Sequence, residues 1–220
     1  MNVYLVPAAA GRHELYCEVA SSASGGESAT GSLRERLVNG FNRMVAEGEA
    51  VMHGQAPEGP ERGRLRRFIT RRVAEAVAEQ RLLWHLRNET EVRLVHPDDV
   101  SASNAMATAK TLVATDYSKH RRWCIIDGLI AAITGPLFFF VPGPNVVSWY
   151  FAFRAIGHFF AMRGASQGLS GSTWMTESSA ELTALRAALA LDRDTRSRRI
   201  DEIAAALGLD RLAWFVEKIA

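Results

Sequence analysis

Cysteine is scarce in this chain, and the N-terminus carries no targeting pattern. The 220 residues contain two cysteines, Cys17 and Cys124, far apart and in unlike contexts. That spacing fits neither a disulfide framework nor a metal or redox motif, which favours a reducing compartment or a membrane. The first residues, MNVYLVPAAAGRHELYCEV, lack both a basic segment before an apolar run and an arginine-rich amphipathic pattern. We therefore expect no cleavable targeting segment.

The chain also lacks a charge excess and any catalytic motif. Lysine plus arginine number 26 against 24 acidic residues, so the net charge of +2 argues against a nucleic-acid partner. No Walker loop, GxSxG or HExxH sequence is present, and GASQGLSG follows a helical pattern rather than a strand. The scattered histidines show no metal-ligand spacing: His13, His53, His85, His96 and His120. We expect no enzyme activity, no catalytic residue, no cofactor and no metal site.

Composition and hydrophobic period divide the chain into six segments. NVYLV and HELYCEV predict a β-hairpin, TEVRLVHP predicts a further strand, and apolar residues at helical spacing predict amphipathic helices. The predicted segments are a β-hairpin (1–20), a flexible linker (21–32), a soluble α+β region (33–122), an apolar helical hairpin (123–163), a loop (164–176) and a C-terminal helical region (177–220). The predicted fold class is α+β, mostly helical, with small N-terminal β elements and a central apolar hairpin.

Two helix starts are predicted from capping residues. Asp98 or Asp99 is suited to cap the helix that runs through SASNAMATAKTLVATDYSKHRR. Ser178 with Glu181 forms a capping-box pattern ahead of LTALRAALAL.

The apolar hairpin is the most unusual feature of the sequence. Trp123 to Val141, WCIIDGLIAAITGPLFFFV, would span about 28 Å as a helix, close to the roughly 30 Å of a bilayer's hydrocarbon core. PGPN then turns the chain at Pro142, Gly143, Pro144 and Asn145, and a second apolar stretch follows. The hairpin is either inserted in a membrane or buried in a soluble core.

Flanking residues favour the membrane, whereas features within the hairpin favour the soluble core. KHRR precedes the hairpin and Arg163 ends it, while the tip is uncharged, as the positive-inside rule requires of a hairpin entered from the cytosolic side. Trp123, Trp149 and Tyr150 lie near the boundaries. Pro136, the short second span and the modest overall hydropathy favour burial instead. A re-entrant or interfacial hairpin is a third arrangement.

Three polar residues inside the hairpin form a candidate site. A fold about Gly143 and Pro144 places Asp127 at nearly the depth of His158, with Arg154 one helical turn away on the same face. A charged group in an apolar setting is costly unless it is paired or functional. The cluster is therefore either a structural lock between the two helices or part of a transport mechanism.

The same region carries a family resemblance. GPLFFFVPGPNVVSWYFAFRAIGHFFAMRGA resembles the mitochondrial K+/H+ exchange-related family through a proline in an apolar run, a Pro-Asn turn, aromatic residues, then Arg, His and Ala-x-x-Gly. The corresponding positions are Pro136, Pro144-Asn145, Trp149-Tyr150, Arg154, His158 and Ala161 to Gly164. The composition suggests a bacterial member.

The resemblance implies a membrane-associated role in potassium/proton exchange or monovalent cation homeostasis. The implied location is the bacterial cytoplasmic membrane, or the mitochondrial inner membrane in a eukaryote. The expected partners are the lipid bilayer and either further copies or another membrane subunit, because two helices cannot enclose an ion path alone. The alternative is a soluble or peripheral non-enzymatic adaptor whose hairpin is buried in its own core.

Overall fold

A four-stranded sheet lies between two layers of helices. The computed structural model describes residues 1–8, 11–18, 82–139 and 146–219. The strands are β1 (Asn2–Pro7), β2 (His13–Tyr16), β3 (Glu91–Pro97) and β4 (Thr173–Ser179), in the order β2-β1-β3-β4. β1 pairs antiparallel with β2, whereas the β1–β3 and β3–β4 pairs are parallel. The predicted N-terminal hairpin and the strand at TEVRLVHP are confirmed.

Helices make up most of the described residues. They are α1 (Ala102–Phe139), α2 (Val146–Ser166), α3 (Ala180–Ala188), α4 (Arg193–Leu207) and α5 (Leu212–Ile219). A short helical segment also covers residues 82–86, and a π-helical turn, Gln167–Gly171, follows α2. The predicted α+β, mostly helical class with a helical hairpin is confirmed.

The inner strand β1 is buried on both faces. Its consecutive side chains point to opposite sides of the sheet, and helices cover both sides. Val3 and Leu5 pack against the segment 82–86, α1 and α2. Tyr4 and Val6 pack against the C-terminal helices. Each face therefore has its own apolar core, and the sheet needs helices on both sides.

Both predicted caps are wrong. Oγ of Ser101 accepts a hydrogen bond from the main-chain N–H of Asn104 at 3.3 Å and so caps α1. Asp98 and Asp99 instead contact Thr183 and Arg186 of α3. The α3 cap is Ser179 rather than Ser178, with the Leu182 N–H donating to its hydroxyl. The α1 cap is later because a turn separates Pro97 from the helix, and the α3 cap is later because β4 continues to Ser179.

The region after α2 differs from the predicted loop at 164–176. α2 continues to Ser166, and the π-helical turn and β4 fill the rest. Nζ of Lys110 donates to the carbonyl oxygens of Gly168 (2.6 Å) and Leu169 (3.2 Å), and Nε1 of Trp174 donates to Gly168 O at 2.7 Å. These contacts join α1, the turn and β4 into one ordered connection.

Several predictions lie outside the described residues. They are the linker at 21–32, the helices between residues 33 and 81, and the hairpin turn at Pro142, Gly143, Pro144 and Asn145. Apart from the loop at 164–176, the segment boundaries drawn from the sequence stay predictions.

Candidate functional site

The hairpin formed by α1 and α2 has its polar side inside and its apolar side outside. Within residues 121–137 of α1, Asp127 alone is buried, with 1% of its surface exposed. Around it, Ile125, Leu129 and Ile133 are more than half exposed, Ile133 by 66%. A hairpin that packs in water buries its apolar residues and exposes its charges. This one does the reverse.

Asp127 contacts a cation from the facing helix. Its Oδ2 atom lies 3.3 Å from Nε of Arg154, whose side chain is 34% exposed. The guanidinium also lies over the rings of Trp123 and Tyr150, at 5.7 and 5.8 Å from their centroids. Two aromatic faces and one carboxylate therefore hold the charge of Arg154 at the edge of the hairpin.

Two histidines extend the cluster toward the sheet. Nε2 of His158 lies 3.5 Å from Oδ2 of Asp127, and Nδ1 of His158 lies 2.8 Å from Nδ1 of His120. Both imidazoles are buried, with 9% and 5% of their surfaces exposed. The four side chains of Asp127, Arg154, His158 and His120 form one connected group, which we call the hairpin cluster.

Burial controls the protonation of the hairpin cluster. It lowers the pKa values of His120 and His158 below that of a free imidazole, and the neighbouring charges of Lys119 and Arg154 add to the effect. Burial also raises the pKa of Asp127, against the opposing pull of Arg154. Neither oxygen of Asp127 receives a well-formed hydrogen bond from the part of the chain that the structure describes. Both changes favour neutral side chains, because a charge is costly away from water.

The structure brings together the three residues grouped from the sequence, and it adds His120. His120 was missed because it looks like an isolated histidine in KHRR, and its partner is 38 residues away. A usable signal was present. His120 lies seven residues before Asp127, two helical turns along the same face, so it points toward the same facing helix.

Basic side chains lie where the apolar surface begins. Lys119, Arg121 and Arg122 are exposed on α1, and Arg163 is exposed on α2 near the sheet. Farther along the hairpin the exposed residues are apolar, including Leu137 and Trp149, the latter at 75%. The exposed surface of the hairpin is therefore apolar, with positively charged residues at the end nearest the sheet. Its exposed apolar residues do not belong to either core of the described residues.

Two features are absent from the described residues. No group of three or more histidine, cysteine, aspartate or glutamate side chains there is placed to hold a metal ion. Among the same residues, no helix combines the length and hydropathy needed to cross a membrane.

Comparison with known families found a match. Residues 2–169 match the family described as mitochondrial K+-H+ exchange-related, which is more than half of the chain. The chain belongs to this family. The matched region of this K+-H+ exchange-related protein contains the N-terminal hairpin, β3, α1 and α2, and so all of the hairpin cluster. No curated protein and no solved structure matches the chain.

Close packing accounts for the small residues at the end of the hairpin. Ala161 and Ala165 are fully buried in the core on the hairpin side of the sheet. A Cβ atom at Gly164 would overlap the main-chain carbonyl of Leu83 in the segment 82–86. The Ala-x-x-Gly pattern that the family resemblance rests on therefore allows close contact between α2 and that segment.

Proposed function

We propose that this protein acts at a membrane in potassium/proton exchange, with the exposed hairpin surface against lipid and the hairpin cluster as its proton-responsive part. The observation that supports this most directly is the inverted arrangement of the hairpin. Asp127 is buried while Leu129, Ile133 and Leu137 are exposed. A large exposed apolar surface on a protein marks a surface that binds lipid or another protein. Polar groups turned inward are the arrangement expected beside hydrocarbon.

The charges at the base of the hairpin favour lipid over a protein partner. Lys119, Arg121, Arg122 and Arg163 lie where the exposed apolar surface ends. Basic residues at that position suit the phosphates of anionic lipids, each contributing roughly 1 kcal/mol near a charged surface. The family name supports mitochondrial association in a eukaryote, and the inner membrane is the location that the proposal assigns there. A bacterial member would act at the cytoplasmic membrane.

Ion movement itself requires more than one copy of this chain or a second membrane protein. Two helices have too little surface to enclose a path for a potassium ion. The proposed contribution of this chain is to respond to protons through the hairpin cluster and to act on a path built with its partners. This assigns it a part in exchange and no enzymatic reaction.

Lipid binding is tested by flotation of the purified full chain with vesicles. We expect the protein to float with vesicles that contain anionic lipid, and to float less with zwitterionic ones. The double variant L129E/I133E should remain folded and lose binding, since both side chains are already exposed. L191E is the matched control, because Leu191 is also exposed but lies outside the hairpin. Equal flotation of L129E/I133E and wild type would contradict the proposal.

Participation in exchange is tested in membrane vesicles from cells with and without the protein. A potassium gradient imposed on the vesicles should drive a larger internal pH change when the protein is present. R154Q should reduce that difference, since Arg154 belongs to the hairpin cluster. Identical potassium-driven pH changes in both vesicle preparations would rule out a role in exchange while leaving lipid binding intact.

A further inference from the structure

The two buried histidines face each other through the same ring atom. A separation of 2.8 Å between Nδ1 of His120 and Nδ1 of His158 is that of a hydrogen bond. Such a bond needs one proton between the two nitrogens, so one ring donates and the other accepts. Full protonation of both rings would place two N–H groups against each other. The pair therefore has two allowed directions, and something must select between them.

Asp127 selects the direction. Its Oδ2 atom faces Nε2 of His158 at 3.5 Å. An ionised carboxylate attracts an N–H group and repels a nitrogen lone pair, so His158 carries its proton on Nε2 and accepts at Nδ1. His120 must then be the donor. Once Asp127 is protonated it has a proton to donate, and the opposite direction is favoured.

We propose that His120 and His158 form a proton wire that ends at Asp127. This deepens the proposed function and rests on it for its purpose in exchange. The juxtaposition is a chain of three buried side chains, in which Nδ1 of His120, both nitrogens of His158 and Oδ2 of Asp127 follow one another.

During the transfer one proton enters at His120, and one N–H bond of each histidine breaks as a new bond forms on the next atom. A proton binds Nε2 of His120. The Nδ1–H bond of His120 breaks as an Nδ1–H bond forms on His158. The Nε2–H proton of His158 then passes to Oδ2 of Asp127, for which the 3.5 Å contact must shorten to a hydrogen bond. At the end both imidazoles are neutral, the hydrogen bond between them is reversed, and Asp127 is a neutral carboxyl group.

Burial favours movement of the proton from the imidazoles toward Asp127. Lys119 on α1 and Arg154 on α2 are the cations that face the imidazoles, and both disfavour a positive charge there. Asp127 is the carboxylate among these groups, and burial together with that carboxylate's charge raises the pKa of the nearby Cys124 thiol. Burial lowers the pKa values of both histidines and raises that of Asp127. Burial therefore shifts a proton that enters at His120 toward Asp127, against the charge of Arg154, which opposes protonation of that carboxylate.

Arrival of the proton removes the charge that holds Arg154. The 3.3 Å contact between Nε of Arg154 and Oδ2 of Asp127 is an ion pair only while Asp127 is ionised. A neutral Asp127 leaves the guanidinium against the rings of Trp123 and Tyr150, without an ionised partner among the described residues. The wire therefore links proton uptake at His120 to the release of the Arg154 side chain from its ion pair with Asp127.

The test is a pH titration of the purified full chain, labelled with nitrogen-15 in histidine and carbon-13 in aspartate, by NMR. Near neutral pH we expect His120 as the uncommon Nδ1–H tautomer and His158 as the Nε2–H tautomer. On acidification both rings should exchange tautomers at the pH at which the carboxyl carbon of Asp127 shifts to its protonated value. The Nε2–H tautomer for His120 at neutral pH would overturn the wire. So would titration of Asp127 with no change of tautomer.

Variants give a second measurement. In D127N the tautomers should no longer exchange with pH, because the group that selects the direction does not titrate. D116N is the matched control, since Asp116 is a partly buried aspartate of the same helix outside the hairpin cluster. It should keep the exchange seen in wild type. A pH-dependent exchange that persists in D127N would overturn the wire. These spectra need neither vesicles nor a potassium gradient, so the wire and the proposed function fail independently.

Discussion

At the scale of single residues, the two halves of the Asp127–Arg154 pair are buried to different extents. Asp127 is enclosed by the hairpin, while about a third of the Arg154 side chain is exposed, at 34%. Water can solvate the guanidinium if its partner is lost, and the rings of Trp123 and Tyr150 still contact it. Asp127 would keep the Nε2–H group of His158 at 3.5 Å, a neutral donor that balances a buried negative charge less well than a cation does. The cost of breaking the pair therefore depends on which residue is removed.

We expect R154Q to destabilise the protein more than D127N. R154Q leaves a buried carboxylate without a cation, which costs roughly 2–4 kcal/mol in free energy of unfolding or forces Asp127 to become protonated. D127N leaves a partly solvated cation and should cost about 1 kcal/mol or less. The double variant should recover part of the R154Q loss. The measurement is chemical denaturation of all four proteins at neutral pH. Additive losses in the double variant would show that the two residues are not coupled.

The buried histidines predict that stability falls in weak acid. Their pKa values in the folded protein lie below the usual 6.5, so the unfolded chain binds more protons below that pH. The free energy of unfolding should therefore drop as pH falls from 6.5 to about 4. The raised pKa of Asp127 acts in the opposite direction, since there the folded protein binds the proton first. The net loss should be roughly 1–3 kcal/mol.

The pH effect is measured as a difference between two proteins. H120Q/H158Q lacks both buried imidazoles, so its free energy of unfolding should depend less on pH over this interval than that of wild type. Histidines outside the hairpin cluster, such as His13, are present in both proteins and cancel. Parallel pH profiles for the two proteins would show that neither imidazole is buried in its neutral form.

At the scale of elements, the contact between α2 and the segment 82–86 is set by one glycine. We expect G164A to destabilise the protein by about 2–4 kcal/mol, because the added Cβ atom overlaps the Leu83 carbonyl and main chain has to move. G128A is the matched control, since Gly128 lies in α1 with open space around the position of its missing Cβ. It should be neutral or stabilise α1 by up to about 1 kcal/mol. Thermal unfolding of both variants gives the comparison, and equal midpoints would contradict it.

The helices and strands also show which parts of the fold could be predicted from the sequence. β1, β2 and β3 were predictable because their apolar residues are bounded by turn residues or proline. β4 was not, because TWMTESS is an edge strand with exposed residues on both faces and has no apolar alternation. α1 was divided at residue 122, where composition changes from polar to apolar, although the helix continues through Pro136 to Phe139. The surroundings of the helix change at residue 122, whereas its backbone stays helical on both sides of that position.

The hairpin cluster was predictable only where the geometry of one hairpin was enough. Asp127, Arg154 and His158 could be grouped because a turn at a known position puts two helices in register. His120 pairs with His158 through the lateral rotation of both helices. That rotation depends on how α1 packs on the sheet through Ala105, Ala109 and Val113. Spacing along the chain places His120 on the same helix face as Asp127, but the contact of its ring with His158 also depends on this tertiary packing.

At the scale of the whole molecule, the region that matches the family is not a complete folding unit. The match ends at residue 169, before β4 and the three C-terminal helices. Yet Tyr4, Val6 and Val95, which lie within the match, are buried against Leu182 and Leu185 of α3. One of the two cores is therefore made of residues from both sides of that boundary. The C-terminal helices cover a face of the sheet that would otherwise be apolar and exposed.

We expect a chain that ends at residue 169 to be insoluble or to unfold without a cooperative transition. Removal of the rest uncovers one face of β1 and β3 and leaves β3 as an unpaired edge, a combination that favours aggregation. A milder version is L185A, which should cost about 2–5 kcal/mol because Leu185 is fully buried. W214S is its control, since Trp214 on α5 is 61% exposed and should tolerate the change. The measurements are solubility, circular dichroism and thermal unfolding of the truncated chain, L185A and W214S, each compared with wild type. A truncated chain with a cooperative transition like that of wild type would show that the helical hairpin and sheet fold without the second core.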